Sequence, residues 1–318
     1  MFESYRSLED VPADFGPCVL TVGNFDGVHR GHQRILLRAT EIGRSEGWRA
    51  VALTFDPHPT RVVRPERAPA LLSSIGQRLE RFGQVGLDAA VVMPFTRDLA
   101  ALTPEEFVSQ VLVERLGARC VVVGSNFRFG RRHAGDVNTL VDLGRQYGFT
   151  GEAIEPLEID GEIVSSTRVR QAVSQGDMEQ ATRLLGEPFR LWGTIVRGRG
   201  VGSRLTAPTL NLAPDSELLP ADGVYVTQTR DLATGELWRS VSNVGVRPTF
   251  DLTERTVETH LISPFDGNPP ERAEVRFLKR LRAEKRFDSS EELKAQIMTD
   301  VAQAEQLFAR QDSLTTEA

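Results

Sequence analysis

Gly23-Asn24-Phe25-Asp26-Gly27-Val28-His29-Arg30-Gly31-His32 is the stretch from which the rest of the chain can be read. The apolar run Cys18-Val19-Leu20-Thr21-Val22 precedes it, and the helical pattern Gln33 to Ala39 follows. That order predicts a strand, a tight turn and the start of a helix. A helix N-terminus has unpaired backbone N–H groups and a partial positive charge, so such a turn suits a phosphate. His29 and His32 fall on one face of the first helical turn. Gly31 leaves room for a phosphate or a base to approach the backbone. The turn can hold a triphosphate and stabilise charge that develops on phosphorus. Taken alone, H-x-G-H fits a strand–helix turn with two surface histidines equally well.

Further strands alternate with helices across the first half. Arg49 to Phe55, Asp88 to Met93 and Arg119 to Gly124 read as near-continuous apolar strands. Gln77 to Phe82 reads as helix. Thr103-Pro104-Glu105-Glu106 is a capping box that opens a helix over Phe107 to Leu116. Apolar strands between helices predict an α/β fold with a doubly wound parallel sheet covered on both faces. Ligands bind such sheets beyond the carboxyl ends of the strands. Gly23, Asp56 and Gly124 each end a strand, so their loops should converge. After Glu187-Pro188-Phe189 the pattern changes to short β-like runs: Leu191–Val196, Gly223–Thr229, Leu237–Val244, Thr256–Ile262 and Arg272–Leu278. These predict a small antiparallel barrel. Ser289 and Glu292 cap a closing helix with Leu293, Ile297, Val301 and Leu307 on its apolar face, and Ser313 to Ala318 should fray.

The chain has 318 residues, 40% of them hydrophobic and 26% charged, which suits two globular domains. A formal net charge of −6 argues against a nucleic-acid-binding surface. No apolar run approaches the ~20 residues of a membrane span. The start Met1-Phe2-Glu3-Ser4-Tyr5-Arg6 has no secretory pattern. Cys18 and Cys120 sit in apolar strands and are expected as buried free thiols of a cytoplasmic protein.

Three more segments carry chemistry. Asp56-Pro57-His58-Pro59 is a stiff loop that fixes His58, or simply a rigid surface turn. Gly124-Ser125-Asn126-Phe127-Arg128-Phe129-Gly130-Arg131-Arg132 combines two rings that could stack on a heterocycle with three arginines that could clamp a phosphate. Its rings could instead anchor the loop to the core. Ser165-Ser166-Thr167-Arg168 reads as a helix N-terminus with three hydroxyls and a guanidinium, a second phosphate cradle.

Together these segments resemble the adenylyltransferase module of the bifunctional prokaryotic FAD synthetases. Their pattern runs G-x-F-D-G-x-H-x-G-H, T-F-x-P-H-P, G-x-D-F-x-F-G and S-S-T-x-I-R. This chain carries the four in order, with Asn126 for the usual Asp and Val169 for Ile. The resemblance implies that His29 and His32 hold the ATP phosphates beside Gly23, Asn24, Phe25, Asp26 and Gly31. Ser165, Ser166, Thr167 and Arg168 would bind them from the other side. Asp56, Pro57, His58, Pro59, Asn126, Phe127 and Arg128 complete the nucleotide and flavin sites. FMN phosphate would attack the α-phosphorus of MgATP.

The second half resembles the riboflavin kinase module, through Leu219 to Tyr225, Ser242 to Phe250, Val257 to Leu261 and Leu281 to Asp288. By that resemblance Glu258 is the general base; from its residues alone, Glu258 could equally form a cross-strand salt bridge. Gly198, Gly202, Pro208, Asn243, Arg247 and Arg282 would contact nucleotide or flavin. Thr209 and Asn211, two oxygen donors on one side of an extended segment, suit Mg²⁺. Ser203, Thr206 and Leu210 depart from the family's G-R-x-L-G-F-P-T-A-N pattern. The implied domains are a nucleotidyltransferase over 1–186 and a kinase barrel with its helix over 187–318. The expected enzyme phosphorylates riboflavin to FMN and adenylylates FMN to FAD. It would use ATP, Mg²⁺ and flavins, act on small molecules without nucleic acid or membrane, and be a monomer or weak homo-oligomer. Its rivals are an adenylyltransferase whose barrel only binds flavin, a flavin sensor or RNA-binding protein, and an adenylyltransferase for another phosphate.

Overall fold

The computed structural model describes residues 1–196, 209–248, 253–262 and 269–316, with backbone alone at 246–248, 253–254 and 314–316. The chain divides into two compact units, 1–166 and 167–318.

In the first unit, strands β1 (Glu3–Tyr5), β2 (Cys18–Val22), β3 (Arg49–Asp56), β4 (Ala89–Pro94), β5 (Ala118–Gly124) and β6 (Thr150–Ile154) form one parallel sheet. Their order is β1-β4-β3-β2-β5-β6. All five residues of β2 are buried, as a strand covered on both faces requires. Alternate residues feed two cores. Leu20, Val22, Val51, Leu53 and Val121 face one side. Val19, Cys120 and Val122 face the other, beneath Ala39 of the helix Arg30–Glu46. Chain order moves outward from β2 through β3 and β4, then returns to β5 on the other flank of β2. That reversal opens a crevice between β2 and β5 at their carboxyl ends. A two-stranded hairpin, β7 (Glu158–Ile159) and β8 (Glu162–Ile163), precedes the helix Ser166–Gln175.

The capping box at Thr103 and Glu106 forms as predicted. The helix after it differs from expectation. Phe107–Arg115 winds in wider turns, in which N–H groups reach carbonyls five residues back, as Leu116 does to Val111 at 3.2 Å. Its buried residues, Phe107, Val108, Val111 and Leu112, fit an ordinary helical period as well, so the sequence pattern does not separate the two.

In the second unit, β9 (Phe189–Val196), β10 (Thr209–Pro214), β11 (Gly223–Asp231), β12 (Leu237–Pro248), β13 (Thr253–Leu261) and β14 (Arg272–Arg282) close into an antiparallel barrel in the order β10-β13-β12-β11-β14-β9. Its interior mixes apolar side chains with hydroxyls. Thr227 is 2.8 Å from both Ser240 and Ser242, and Ser242 is 2.7 Å from Thr259, all buried. A hydroxyl can donate or accept, so these buried groups pair with one another along the interior. The outer face of β11 and β12 offers Val224, Val226 and Val241 to Ala304 and Phe308 of the helix Ser290–Thr316. Ser289 caps that helix by accepting from Glu292 N–H. The expected fraying is corrected for 313–316, which continue the helix.

Candidate functional sites

The turn after β2 is held in an uncommon backbone shape. Phe25 (φ 48°), Gly27 (φ 79°) and Val28 (φ 40°) all lie in the left-handed region, where a β-branched residue is a rare outlier. Such strain persists only where surroundings impose it. Here Asp26 imposes it: its buried carboxylate accepts from Leu72 N–H at 3.0 Å and Ser73 N–H at 3.2 Å. Asp26 thus turns inward, and its backbone carbonyl accepts from Ser166 Oγ at 2.9 Å.

Beyond the turn, His29 is the N-cap of the helix Arg30–Glu46, its Nδ1 accepting from His32 N–H at 3.3 Å. The two imidazoles stack, with centroids 3.6 Å apart and planes 16° from parallel. Phe25 meets His32 edge-on at 5.2 Å. Desolvation, then His29 and Arg78, holds His32 well below the usual histidine range, so it is neutral near pH 7. Gly31 has the His29 ring 3.2 Å and the Val164 carbonyl 3.6 Å from where a Cβ would stand. The segment leading into Ser165 and Ser166 therefore lies against this turn. Thr167 and Arg168 are the next residues of the helix that opens at Ser166.

His58 caps the short helix Pro59–Val63, with Nδ1 accepting from Thr60 N–H at 3.2 Å. Its Nε2 lies 3.3 Å from Asn24 Nδ2. The stiff Asp56-Pro57-His58-Pro59 loop thus ties the end of β3 to the turn after β2.

A cavity of about 310 Å³ opens at the crevice between β2 and β5. One wall is Gly23 and Asn24, with Pro59 beside them; another is Asn126, Phe127, Arg128 and Gly130; Phe55, Phe95 and Phe107 are apolar lining. Phe127 stacks on Phe129 at 5.3 Å, and Phe129 is buried against Phe107. Phe129 is the loop's anchor, while half-buried Phe127 presents a ring to the cavity. Arg128 pairs with Asp136 at 3.0 Å on the exposed rim. Phe55 stands in a predicted strand and in the T-F-x-P-H-P pattern but was not named as site lining, and neither Phe95 nor the buried Arg78 was singled out in the sequence.

The second site lies on the outer face of the barrel. Register places Asn211 opposite Glu258, Glu258 opposite Asn243, Asn243 opposite Val224 and Val224 opposite Arg282. One row therefore crosses five strands with Glu258 between two carboxamides. The next row begins Thr209, His260, Val241. A cavity of about 320 Å³ takes in Thr209, Glu258, Asn243, His260 and Arg282, roofed by Phe287, Leu293 and Ile297. Arg282 is clamped by buried Asp300, with contacts at 2.8–3.2 Å. Burial pushes His260 below its usual range. His260 was missed in the sequence, although standing two residues from Glu258 on a strand puts it on the same face. Leu210 points the other way, buried against Trp238 and Leu261, so this departure from the family pattern packs the barrel and leaves the site face unchanged. Gly198, Gly202, Ser203, Thr206, Pro208 and the Arg247 side chain lie outside the described residues.

Among the described residues, no group of three or more His, Cys, Asp or Glu could hold a metal ion. The donors expected for Mg²⁺, Thr209 and Asn211, are neutral oxygens, the type that cation accepts while it keeps several waters. Cys18 and Cys120 are free and buried, as expected.

A parallel sheet with an H-x-G-H turn at its carboxyl edge, followed by an antiparallel barrel with an acid-bearing cavity, defines a two-domain nucleotide-using transferase. The family model for FAD synthetase matches residues 11–168, and that for riboflavin kinase matches residues 185–308. A bifunctional riboflavin kinase/FMN adenylyltransferase from Pseudomonas fluorescens is 39% identical over 305 residues, covering 96% of this chain and 97% of that one. The protein of the same description from Escherichia coli (strain K12) is 36% identical over 291 residues, covering 92% and 93%. A solved structure described as a macrolide-efflux protein from Streptococcus pneumoniae superposes with TM-score 0.82 at 26% identity, over 94% of this chain and 97% of that one. Among the described residues no helix here is long and apolar enough to cross a membrane. The chain belongs to the bifunctional riboflavin kinase/FMN adenylyltransferase family: an FAD synthetase domain followed by a riboflavin kinase domain, making a bifunctional enzyme of flavin biosynthesis.

Proposed function

We propose that the site at the carboxyl edge of the sheet adenylylates FMN and that the barrel site phosphorylates riboflavin, with the functional division near 186/187. The observation that carries the first assignment is the shared cavity wall: Gly23 and Asn24 of the phosphate-type turn line the same space as Phe127 and Arg128. The flavin ring lies against Phe127, and ATP phosphates meet the N–H groups at His29–His32 with Ser165, Ser166, Thr167 and Arg168. His32, as a neutral imidazole, donates a ring N–H to phosphate oxygens without adding its own proton equilibrium near pH 7, and His29 beside it faces the same phosphates. An FMN phosphate oxygen attacks the α-phosphorus in line, forming the new P–O bond as pyrophosphate leaves. The attacking phosphate is already ionised, so positioning and charge stabilisation suffice. Asp26 and His58 shape the turn and Asn24 orientation respectively.

In the barrel, Glu258 accepts the proton of the ribityl hydroxyl as that oxygen attacks the γ-phosphorus and ADP leaves. Its place between Asn211 and Asn243 in one row supports that role. Arg282, held by Asp300, presents a fixed cation. Thr209 and Asn211 are the residues that would hold Mg²⁺, which supplies charge neutralisation on the phosphates. Gly198, Gly202, Pro208 and Arg247 are assigned to the same nucleotide site. Free buried thiols support a reducing, cytoplasmic setting, and we assign a monomer or weak homo-oligomer. Two variants test the division of labour. Glu258→Gln should lower riboflavin phosphorylation by about 10²- to 10⁴-fold and leave FAD formation from supplied FMN intact. His32→Ala should do the reverse. Loss of both activities in either variant contradicts the assignment.

A further inference from the structure

The helix Ile75–Val85 follows directly on the Leu72–Ser73 clamp that holds Asp26. Its first turn is fixed by the capping box of Ser74 and Gln77. The next residue, Arg78, is only 1% exposed. Its Nη1 donates to the Asn24 carbonyl at 3.0 Å, an oxygen that also accepts from Thr54 Oγ1 at 3.2 Å. Its Nε is buried with no hydrogen-bond partner among the described residues. Burial disfavours the charged guanidinium, and the charges of Asp26 and Asp56 oppose that pull. The Asp26 oxygens, however, are occupied by the Leu72 and Ser73 amides. A buried cation bonded to a carbonyl costs free energy that an apolar side chain of similar volume would avoid. Arg78 is therefore an expensive choice for packing, set directly behind the turn from Gly23 to His32.

Its contacts lead to both histidine sites. The Asn24 peptide it grips carries the side chain that meets His58 at 3.3 Å. Its charge also reaches His32. We propose that Arg78 is a positioning residue for adenylyl transfer, fixing the Asn24 peptide and lending buried positive charge to the triphosphate cradle. This rests on the assignment of the Gly23–His32 turn to ATP. A second consequence concerns protonation. The charged and titratable groups acting on His32 are the stacked His29 and Arg78, with Asp26 and Asp56 acting on Arg78. Removing the guanidinium makes His32 easier to protonate, so activity should fall sooner on acidification.

The test uses the full chain with ATP, Mg²⁺ and FMN, measuring kcat and both KM values across about pH 5 to 8, the range in which imidazoles titrate. Riboflavin phosphorylation on the same preparations is the internal control. Arg78→Met should lower kcat for FAD formation about tenfold or more, move the acidic limb to higher pH and leave riboflavin phosphorylation unchanged. Arg78→Lys should restore part of kcat and return the limb toward wild type. Wild-type kcat and limb in Arg78→Met, while His32→Ala abolishes FAD formation, overturn the proposal alone. FAD formation surviving in His32→Ala overturns the site assignment beneath it. A fall in both activities in Arg78→Met and Arg78→Lys, or a fall in kcat with an unmoved limb and no rescue by lysine, makes Arg78 merely structural and also overturns the proposal.

Discussion

The Asp26 carboxylate faces the protein interior, and the strained turn depends on it. Asp26→Ala leaves the buried Leu72 and Ser73 amides without that acceptor, at a cost of about 1–3 kcal/mol. Urea unfolding of the first unit should register that loss, with FAD formation falling and riboflavin phosphorylation unaffected. Glu274 is the second telling residue. Burial alone would raise its pKa, yet the Trp192 indole N–H at 2.7 Å and the charges of Arg190 and Arg276 outweigh burial and hold it at about 2. Arg230 adds contacts at 3.1 and 3.3 Å. With a depressed folded pKa, the stabilisation is complete above the ordinary carboxyl value near 4.5 and is lost as pH falls from there toward 2. The shift corresponds to on the order of 3 kcal/mol. Glu274→Gln should destabilise the barrel at pH 7 and flatten the dependence of its unfolding free energy on pH across that window; an unchanged acid limb would contradict the account. Residues of this kind were partly legible. H-x-G-H marked His29 and His32 as one unit, and the two rings do stack at the start of the helix. Arg78 and Glu274 gave no signal, since a charged residue on an amphipathic helix or a strand looks solvent-facing until its neighbours are known.

Elements were read best where burial is two-sided. Cys18–Val22 and Arg49–Asp56 declare themselves by unbroken apolar runs, and both form as expected. Edge strands did not. Thr150–Ile154 has no buried residue and carries Gly151 and Glu152, so its pairing with β5 is written in the partner rather than in itself. Thr209–Pro214 was foreseen as extended, with Thr209 and Asn211 on one side, yet its place between β9 and β13 needed register. Barrel closure there depends on Gly193 in β9. A Cβ at that position would meet the Ala213 carbonyl oxygen and stand 2.8 Å from its carbon. Backbone cannot give way as a flexible side chain can. Gly193→Ala should therefore splay β9 from β10, cost about 1–3 kcal/mol and reduce riboflavin phosphorylation, with FAD formation from supplied FMN retained. Equal thermal stability and equal kinase activity would refute this reading of the closure.

At the scale of the whole molecule, two folds with different logic share one chain. The site proposed for the sheet lies on loops at a strand-order reversal, and the one proposed for the barrel lies on the strands of its outer face. The formal charge of −6 is no obstacle to anionic substrates, because the cations are local: Arg128 at one cavity and Arg282 at the other. Domain order was legible because each half carries several distinct motifs in order. The measurement that bears most directly on the account is chromatography of the flavins after the full chain is incubated with riboflavin, ATP and Mg²⁺. FMN should appear first and FAD after it, both from riboflavin alone. No FMN or FAD from riboflavin, under conditions where supplied FMN is still converted to FAD, would contradict the kinase assignment of the barrel; turnover of neither flavin would contradict both.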